Sequence, residues 1–134
     1  MSITLTPEQI RAIEAQLREF GAEIPIIAKI ENRQGVENIE EIAAVDGIDA
    51  VFVGPYDLSA SLGKTGKLED AAVVAATSRV TDVCRKAGIT LGYFGVTAEA
   101  VEPYIDRGYT LITAGVDTVF LASAAKQLRE SLRD

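Results

Sequence analysis

Val51-Phe52-Val53-Gly54-Pro55-Tyr56-Asp57-Leu58-Ser59 is the stretch on which the reading of this chain turns. Consecutive apolar residues from Val51 to Val53 are not an alternating, half-wet strand. They are apolar on both faces, as a strand inside a parallel sheet must be. The run stops at a Gly-Pro turn and an acid. Upstream, Ile26-Ile27-Ala28-Lys29-Ile30-Glu31-Asn32 repeats the pattern, an apolar run that ends on a lysine and an acid. Each stretch places a carboxylate just past the C-terminal end of a buried strand. In parallel α/β proteins that edge is where sites are built.

Working outward, helix and strand signals alternate. Thr6 can cap a first helix, with Pro7 at its first position and Gln9 completing a capping box. Ile10, Ile13, Leu17 and Phe20 recur at helical spacing, and Gly21 can end that helix. The first strand is expected over Ile24–Ile30. A helix follows from Gly35 to Val45 with Val36, Ile39, Ile42 and Ala43 on one face, and then a strand over Ala50–Val53. Gly54 to Lys67 reads as a loop with one helical turn. Asp70 caps a long helix to Ala87, with Val73, Val74, Val80, Val83 and Cys84 inward and Gly88 as its stop. A strand over Thr90–Phe94 leads to a helix over Ala98–Arg107, in which Pro103 predicts a kink or a late start. A last strand, Tyr109–Ala114, precedes a helix over Thr118–Arg133 that should bury Phe120, Leu121, Ala124, Leu128 and Leu132. Asp117 is its expected N-cap.

That is one helix followed by four βα units in a single α/β domain spanning 1–134. Four such units fit an open doubly wound sheet or half of a closed (βα)8 barrel. The dinucleotide fingerprint Gly-x-Gly-x-x-Gly and the phosphate-loop pattern are both missing. The length, 134 residues, is about half of what a barrel needs. A half barrel has two open strand edges, which invite pairing with another chain. Self-association is therefore expected, as a dimer that completes a barrel or as a larger assembly.

Composition narrows the function. The net charge of −7 and the lack of a Lys/Arg cluster argue against a nucleic-acid surface. The apolar runs are far too short to span a bilayer, and no basic n-region with an apolar h-region is visible, so a cytoplasmic location is expected. Cys84 stands alone and there is no histidine. A metal would need oxygen ligands, which points to Mg²⁺ or Mn²⁺.

On adjacent strands, Glu31 and Asp57 can reach one point above the sheet. They read as a two-carboxylate metal site completed by substrate and water. Alternatively, Glu31 caps the next helix and Asp57 caps the turn after it. Gly54 and Pro55 shape a turn that a ligand can approach closely. The N–H groups of Tyr56 and Asp57 can hold a substrate carboxylate. Ser59, Ser61 and Gly63 are further substrate-contact candidates, and Arg33 lies near the same rim. Lys29 shares a face with Glu31 by alternation. It is a candidate catalytic residue, as an electrophile, a proton donor or a Schiff-base amine. Its other reading is a structural ion pair with Glu31 or Asp57. Gly95 is expected to keep the mouth of the sheet open.

Ile26–Asn32, Val45–Gly63 and Ala114–Thr118 resemble the HpcH/HpaI family. These are metal-dependent class II aldolases that act on 2-keto-3-deoxy sugar acids and 4-hydroxy-2-oxo acids, within the phosphoenolpyruvate/pyruvate superfamily of TIM barrels. The match runs over about residues 24–133, the C-terminal half of such a barrel. The resemblance implies that Glu31 and Asp57 hold Mg²⁺ or Mn²⁺ and that the Tyr56 and Asp57 N–H groups bind the carboxylate of pyruvate. It also implies retro-aldol cleavage to pyruvate and an aldehyde. Lys29 stands where the family usually has glutamine, and Lys-Ile-Glu-Asn also looks like pyruvate kinase, though the chain follows the aldolase pattern from Val51 onward. The family's substrate-gripping arginine and its histidine base belong to the half that has no counterpart here. The alternative is an inactive half barrel that serves as an assembly module.

Overall fold

A computed structural model of the chain describes residues 6–19 and 25–132. Four parallel strands form one sheet in the order β1-β2-β3-β4: β1 Ile27–Ile30, β2 Ala50–Val53, β3 Thr90–Gly95 and β4 Leu111–Ala114. A doubly wound sheet reverses its strand order partway. This sheet runs straight through in chain order, as a barrel does, so the arrangement is half of a (βα)8 barrel.

The N-terminal helix α1 (Pro7–Glu19) starts on the expected capping box. The Gln9 N–H donates to Thr6 Oγ1 (3.3 Å) and the Thr6 N–H donates to Gln9 Oε1 (2.8 Å). Ile13 is exposed and Leu17 half-buried, so at these positions the expected apolar stripe is covered only in part. Phe20, Gly21 and Ile24 lie outside the described residues. β1 begins later than expected because Pro25 has no N–H for the ladder. The Ile26 N–H is taken by the side chain of Asp49 (2.7 Å).

The helix expected over Gly35–Val45 is two, α2 (Arg33–Glu37) and α3 (Ile39–Ala43). Asn32 caps α2, its side chain accepting from the Gly35 N–H at 2.8 Å. The break falls on Asn38, a poor residue in a helix interior. It still leaves Val36, Ile39 and Ile42 buried. The loop after β2 holds a seven-residue helix, α4 (Pro55–Ser61). α5 (Ala71–Ala87) is capped by Asp70, which accepts from the Ala72 N–H, and ends at Gly88 with φ +71°. It buries Val73, Val80 and Cys84 as expected, with Thr77 and Thr81 in addition, whereas Val74 faces out. α6 (Ala98–Asp106) starts at once from its Thr97 cap and runs through Pro103. β4 starts at Leu111, two residues late, because the Tyr109 N–H bonds Tyr104 O (3.0 Å) and closes the α6 terminus first.

The two faces of the sheet differ. Ile30, Val51, Val53, Leu91 and Tyr93 are buried, with α5 and α6 packed on β3. Tyr93 stacks on Tyr104 (centroids 3.5 Å apart, planes at 16°), and both meet Tyr109 edge-on. The Tyr109 hydroxyl pairs with buried Thr81 at 2.7 Å. Gly95 belongs to this packing rather than to the mouth, because a Cβ there would lie 2.6 Å from Val101 Cγ1. The other face carries Lys29, Phe52, Gly92 and Leu111 in one register row, with Phe94 and Thr113 beside them. Apart from Gly92, those side chains are only half-buried or exposed.

The last helix, α7 (Asp117–Ser131), corrects an expectation. None of its residues is buried; Phe120 is 60% and Leu121 73% exposed, and Ala124, Leu128 and Leu132 are exposed too. Its apolar stripe is real, but no described element covers it. Its N-cap is Val116, and Asp117 is its first residue, accepting from the Thr118 N–H at 2.7 Å. Among the described residues no helix is long and apolar enough to cross a membrane.

Candidate functional site

Register sets the site. Lys29 on β1 pairs with Phe52 on β2, so Glu31 leaves β1 beside Gly54 as that residue leaves β2. The Gly54 N–H donates to Ile30 O at 3.0 Å and locks the two strand ends together. Pro55 then starts α4, where its missing N–H costs nothing. The first helical bond is made by the Leu58 N–H to Gly54 O (3.0 Å). The N–H groups of Tyr56 and Asp57 precede it and point out of the helix start.

Lys29, Glu31 and Asp57 meet here. Lys29 Nζ lies 2.6 Å from Glu31 Oε2 and 3.3 Å from Asp57 Oδ2. The Glu31 side chain is 18% exposed, Lys29 49% and Asp57 65%. The hydrogen bond to Glu31 raises the Lys29 pKa above the ordinary lysine value; partial burial works against this, and Asp57 adds to it. A lysine held so firmly as ammonium is a poor Schiff-base nucleophile. Lys29 makes the ion pair of its other reading, and makes it with both acids at once. Glu31 does not cap the next helix, since Asn32 does.

The donor chemistry suits a hard cation. Two carboxylates from successive strand ends converge on one positive charge. Magnesium is commonly held by one or two carboxylates, with water and substrate oxygens completing the shell. Among the described residues no group of three or more His, Cys, Asp or Glu side chains gathers as a metal cage. Two carboxylates alone are a donor set that leaves the rest of such an ion's shell to water or substrate oxygens.

A cavity of about 370 Å³ adjoins the ion pair, lined by Lys29, Phe52, Gly54, Pro55, Tyr56, Asp57, Phe94 and Thr113. Four residues expected to touch substrate, Gly54, Pro55, Tyr56 and Asp57, line it. Ser59 does not. Its hydroxyl is buried, donates to Tyr56 O (2.7 Å) and accepts from the Gly66 N–H (3.0 Å). Ser61 Oγ accepts from the Arg33 N–H at 3.0 Å. Ser59 and Ser61 thus tie α4 to its surroundings. Phe52, Phe94 and Thr113 are additions, with Tyr56 meeting Phe94 edge-on at 6.1 Å. Strand parity would have found Phe52, two residues before Gly54 on the face of Lys29. Cys84 is buried among apolar groups, which pushes its thiol up to about 11 and leaves it inert.

Comparison with known proteins adds to this geometry. A family model, HpcH/HpaI aldolase/citrate lyase, matches residues 3–124. A hydroxypyruvate/pyruvate aldolase of Paraburkholderia phytofirmans is 37% identical over 112 residues, 84% of this chain and 43% of that protein. A 4-hydroxy-2-oxo-heptane-1,7-dioate aldolase of Shigella sonnei is 33% identical over 112 residues, again 84% of this chain and 43% of its own length. The crystal structure of an HpcH/HpaI aldolase/citrate lyase family protein from Burkholderia cenocepacia superposes with a TM-score of 0.80 at 32% identity, covering 99% of this chain and 53% of the other. The chain thus spans less than half the length of these curated relatives.

Proposed function

The chain belongs to the HpcH/HpaI aldolase/citrate lyase family, and from that premise we propose that it carries the metal-dependent half of a class II aldolase site. The reaction is cleavage of a 2-keto-3-deoxy or 4-hydroxy-2-oxo acid to pyruvate and an aldehyde. The observation that carries this reading is the convergence of Glu31 and Asp57 on a single cation beside the Gly54–Asp57 turn.

Glu31 and Asp57 would hold Mg²⁺ or Mn²⁺. When bound, that ion supplies Lewis-acid stabilisation of the charge that builds up on the oxygens of the 2-oxo acid. The chain's own residues do the rest. The Tyr56 and Asp57 N–H groups orient the carboxylate of the substrate. Gly54 and Pro55 set the turn, and buried Ser59 keeps it rigid. Phe52, Phe94 and the Tyr56 ring form the apolar side of the cavity. Lys29 keeps a proton at Nζ on the cavity edge.

Complete turnover requires the other half of the barrel. The family's histidine base has no counterpart, since the chain has no histidine. A second copy of this chain, in a dimer or a larger homo-oligomer, would cover the open sheet face but brings no histidine, so the base has to come from outside this sequence. The half-open sheet face and the uncovered stripe of α7 support such pairing. They favour, as the second reading, an assembly module without catalysis.

One experiment separates the two: NMR of pyruvate methyl-proton exchange with solvent, with and without Mn²⁺ or Mg²⁺, on protein of known solution mass. Metal-dependent exchange that Asp57→Asn abolishes supports the aldolase core. A folded oligomer with no exchange leaves the assembly module.

A further inference from the structure

We propose that Lys29 is a built-in competitor for the divalent cation, seated at the point between Glu31 and Asp57 that the metal would take, so that metal enters by displacing it. The inference rests on the site reading above and deepens it.

The ammonium makes an ion pair with each carboxylate, at 2.6 Å and 3.3 Å. It therefore already fills the role of the shared cation. Its path is also built. A Cβ on residue 54 would lie 2.7 Å from Lys29 Cε and 3.4 Å from Nζ, so in this pose the lysine stem occupies space beside Gly54 that a larger residue would take, pushing the lysine aside. Gly54 has φ −98°, which any residue can adopt, so its contribution there is space for the lysine rather than a special backbone conformation. Exit is open as well. The Lys29 side chain is half exposed on a flexible stem and can swing into water.

Charge sets the consequence. With the lysine in place, the trio carries one net negative charge; without it, the pair carries two. A dication meets a weaker field in the first case and, if the lysine stays, a like charge a few ångströms away. Removing one unit charge at that range, in an exposed and water-rich site, corresponds to about tenfold in affinity.

The test is Mn²⁺ binding, read from the electron spin resonance signal of the free ion, on the wild type and on Lys29→Gln, Lys29→Met, Lys29→Arg and Asp57→Asn. Circular dichroism verifies that each variant is folded. Lys29→Gln and Lys29→Met should bind Mn²⁺ about tenfold tighter than wild type, with the gap narrowing in added KCl. Lys29→Arg, which keeps the charge, should stay weak. The proposal is overturned if both neutral variants bind no tighter than wild type while Asp57→Asn still loses the ion, and the site reading then stands. If no variant binds Mn²⁺, or if Asp57→Asn binds it unchanged, the site reading falls and takes the proposal with it.

Discussion

The two faces of the sheet are made by the same strands and do opposite things. On one, Ile30, Val51, Val53, Leu91 and Tyr93 lie buried, with α5 and α6 packed on β3. On the other, Lys29, Phe52, Leu111 and Thr113 border a cavity or solvent, and charge gathers at the rim. Burial of apolar surface stabilises in proportion to area, so the helix-covered face should carry the fold. The open face can afford a lysine and two acids because it carries little of that load. Stability and chemistry are thus divided across one layer of backbone.

The comparison can be broken first with one residue type on both faces. Leu91 is buried on the helix side and Leu111 half-buried on the open side, in strands that pair directly. Leu91→Ala should cost about 3 kcal/mol in urea unfolding and Leu111→Ala about 1 kcal/mol, since the cavity term needs a closed surround. Equal costs would mean that the open face is covered in solution. Next is Gly95→Ala, whose new methyl would meet Val101 Cγ1 and Ala100 Cβ across the β3–α6 contact. Overpacking there should cost about 1–3 kcal/mol, and an unchanged midpoint would show α6 to be loosely docked.

Asp70 sharpens the point for the helix side through pH. Its pKa is lowered, first by the hydrogen bond from the Ala72 N–H and then by Lys64 at 3.2 Å. A carboxyl with a depressed folded pKa contributes stability that is present above its ordinary value of 3.8 and lost as pH falls through the folded value. The stability gap between wild type and Asp70→Asn should therefore be constant near neutrality and close at acid pH. A gap that persists there would assign the effect to something other than ionised Asp70. The smallest effect is expected on α7. Leu121→Ser should change unfolding of the isolated chain by less than about 0.5 kcal/mol, and a larger loss, tracked against protein concentration, would reveal a partner on that stripe.

The helix-covered face was the more legible in the sequence. Val51–Val53, the Asp70 cap and the Gly88 stop are local signals, and each lies where expected. What local pattern missed was long-range. Asn38 divides one periodic stretch into two helices without disturbing its buried face. The stripe of α7 has the spacing of a buried face, but spacing does not say what covers it. At the site, Glu31, Asp57 and Lys29 were legible because strand ends and alternation place them. Phe94 and Thr113 were not, because they reach the cavity through the register of β3 and β4. The hydroxyl of Ser59 turned inward to the α4 backbone, which a Ser-rich turn does not announce.

The tyrosine stack has an optical consequence. The chain has no tryptophan and four tyrosines. Tyr93, Tyr104 and Tyr109 cluster behind β3, and Tyr56 sits at the mouth against Phe94. Near-parallel rings 3.5 Å apart couple their electronic transitions, so Tyr93 and Tyr104 should dominate the near-ultraviolet circular dichroism. That band reports the covered side of the sheet. Tyr56→Phe would leave it nearly intact and remove the phenol at the mouth. The molecule thus carries a separate spectroscopic label for each face, with no dye attached.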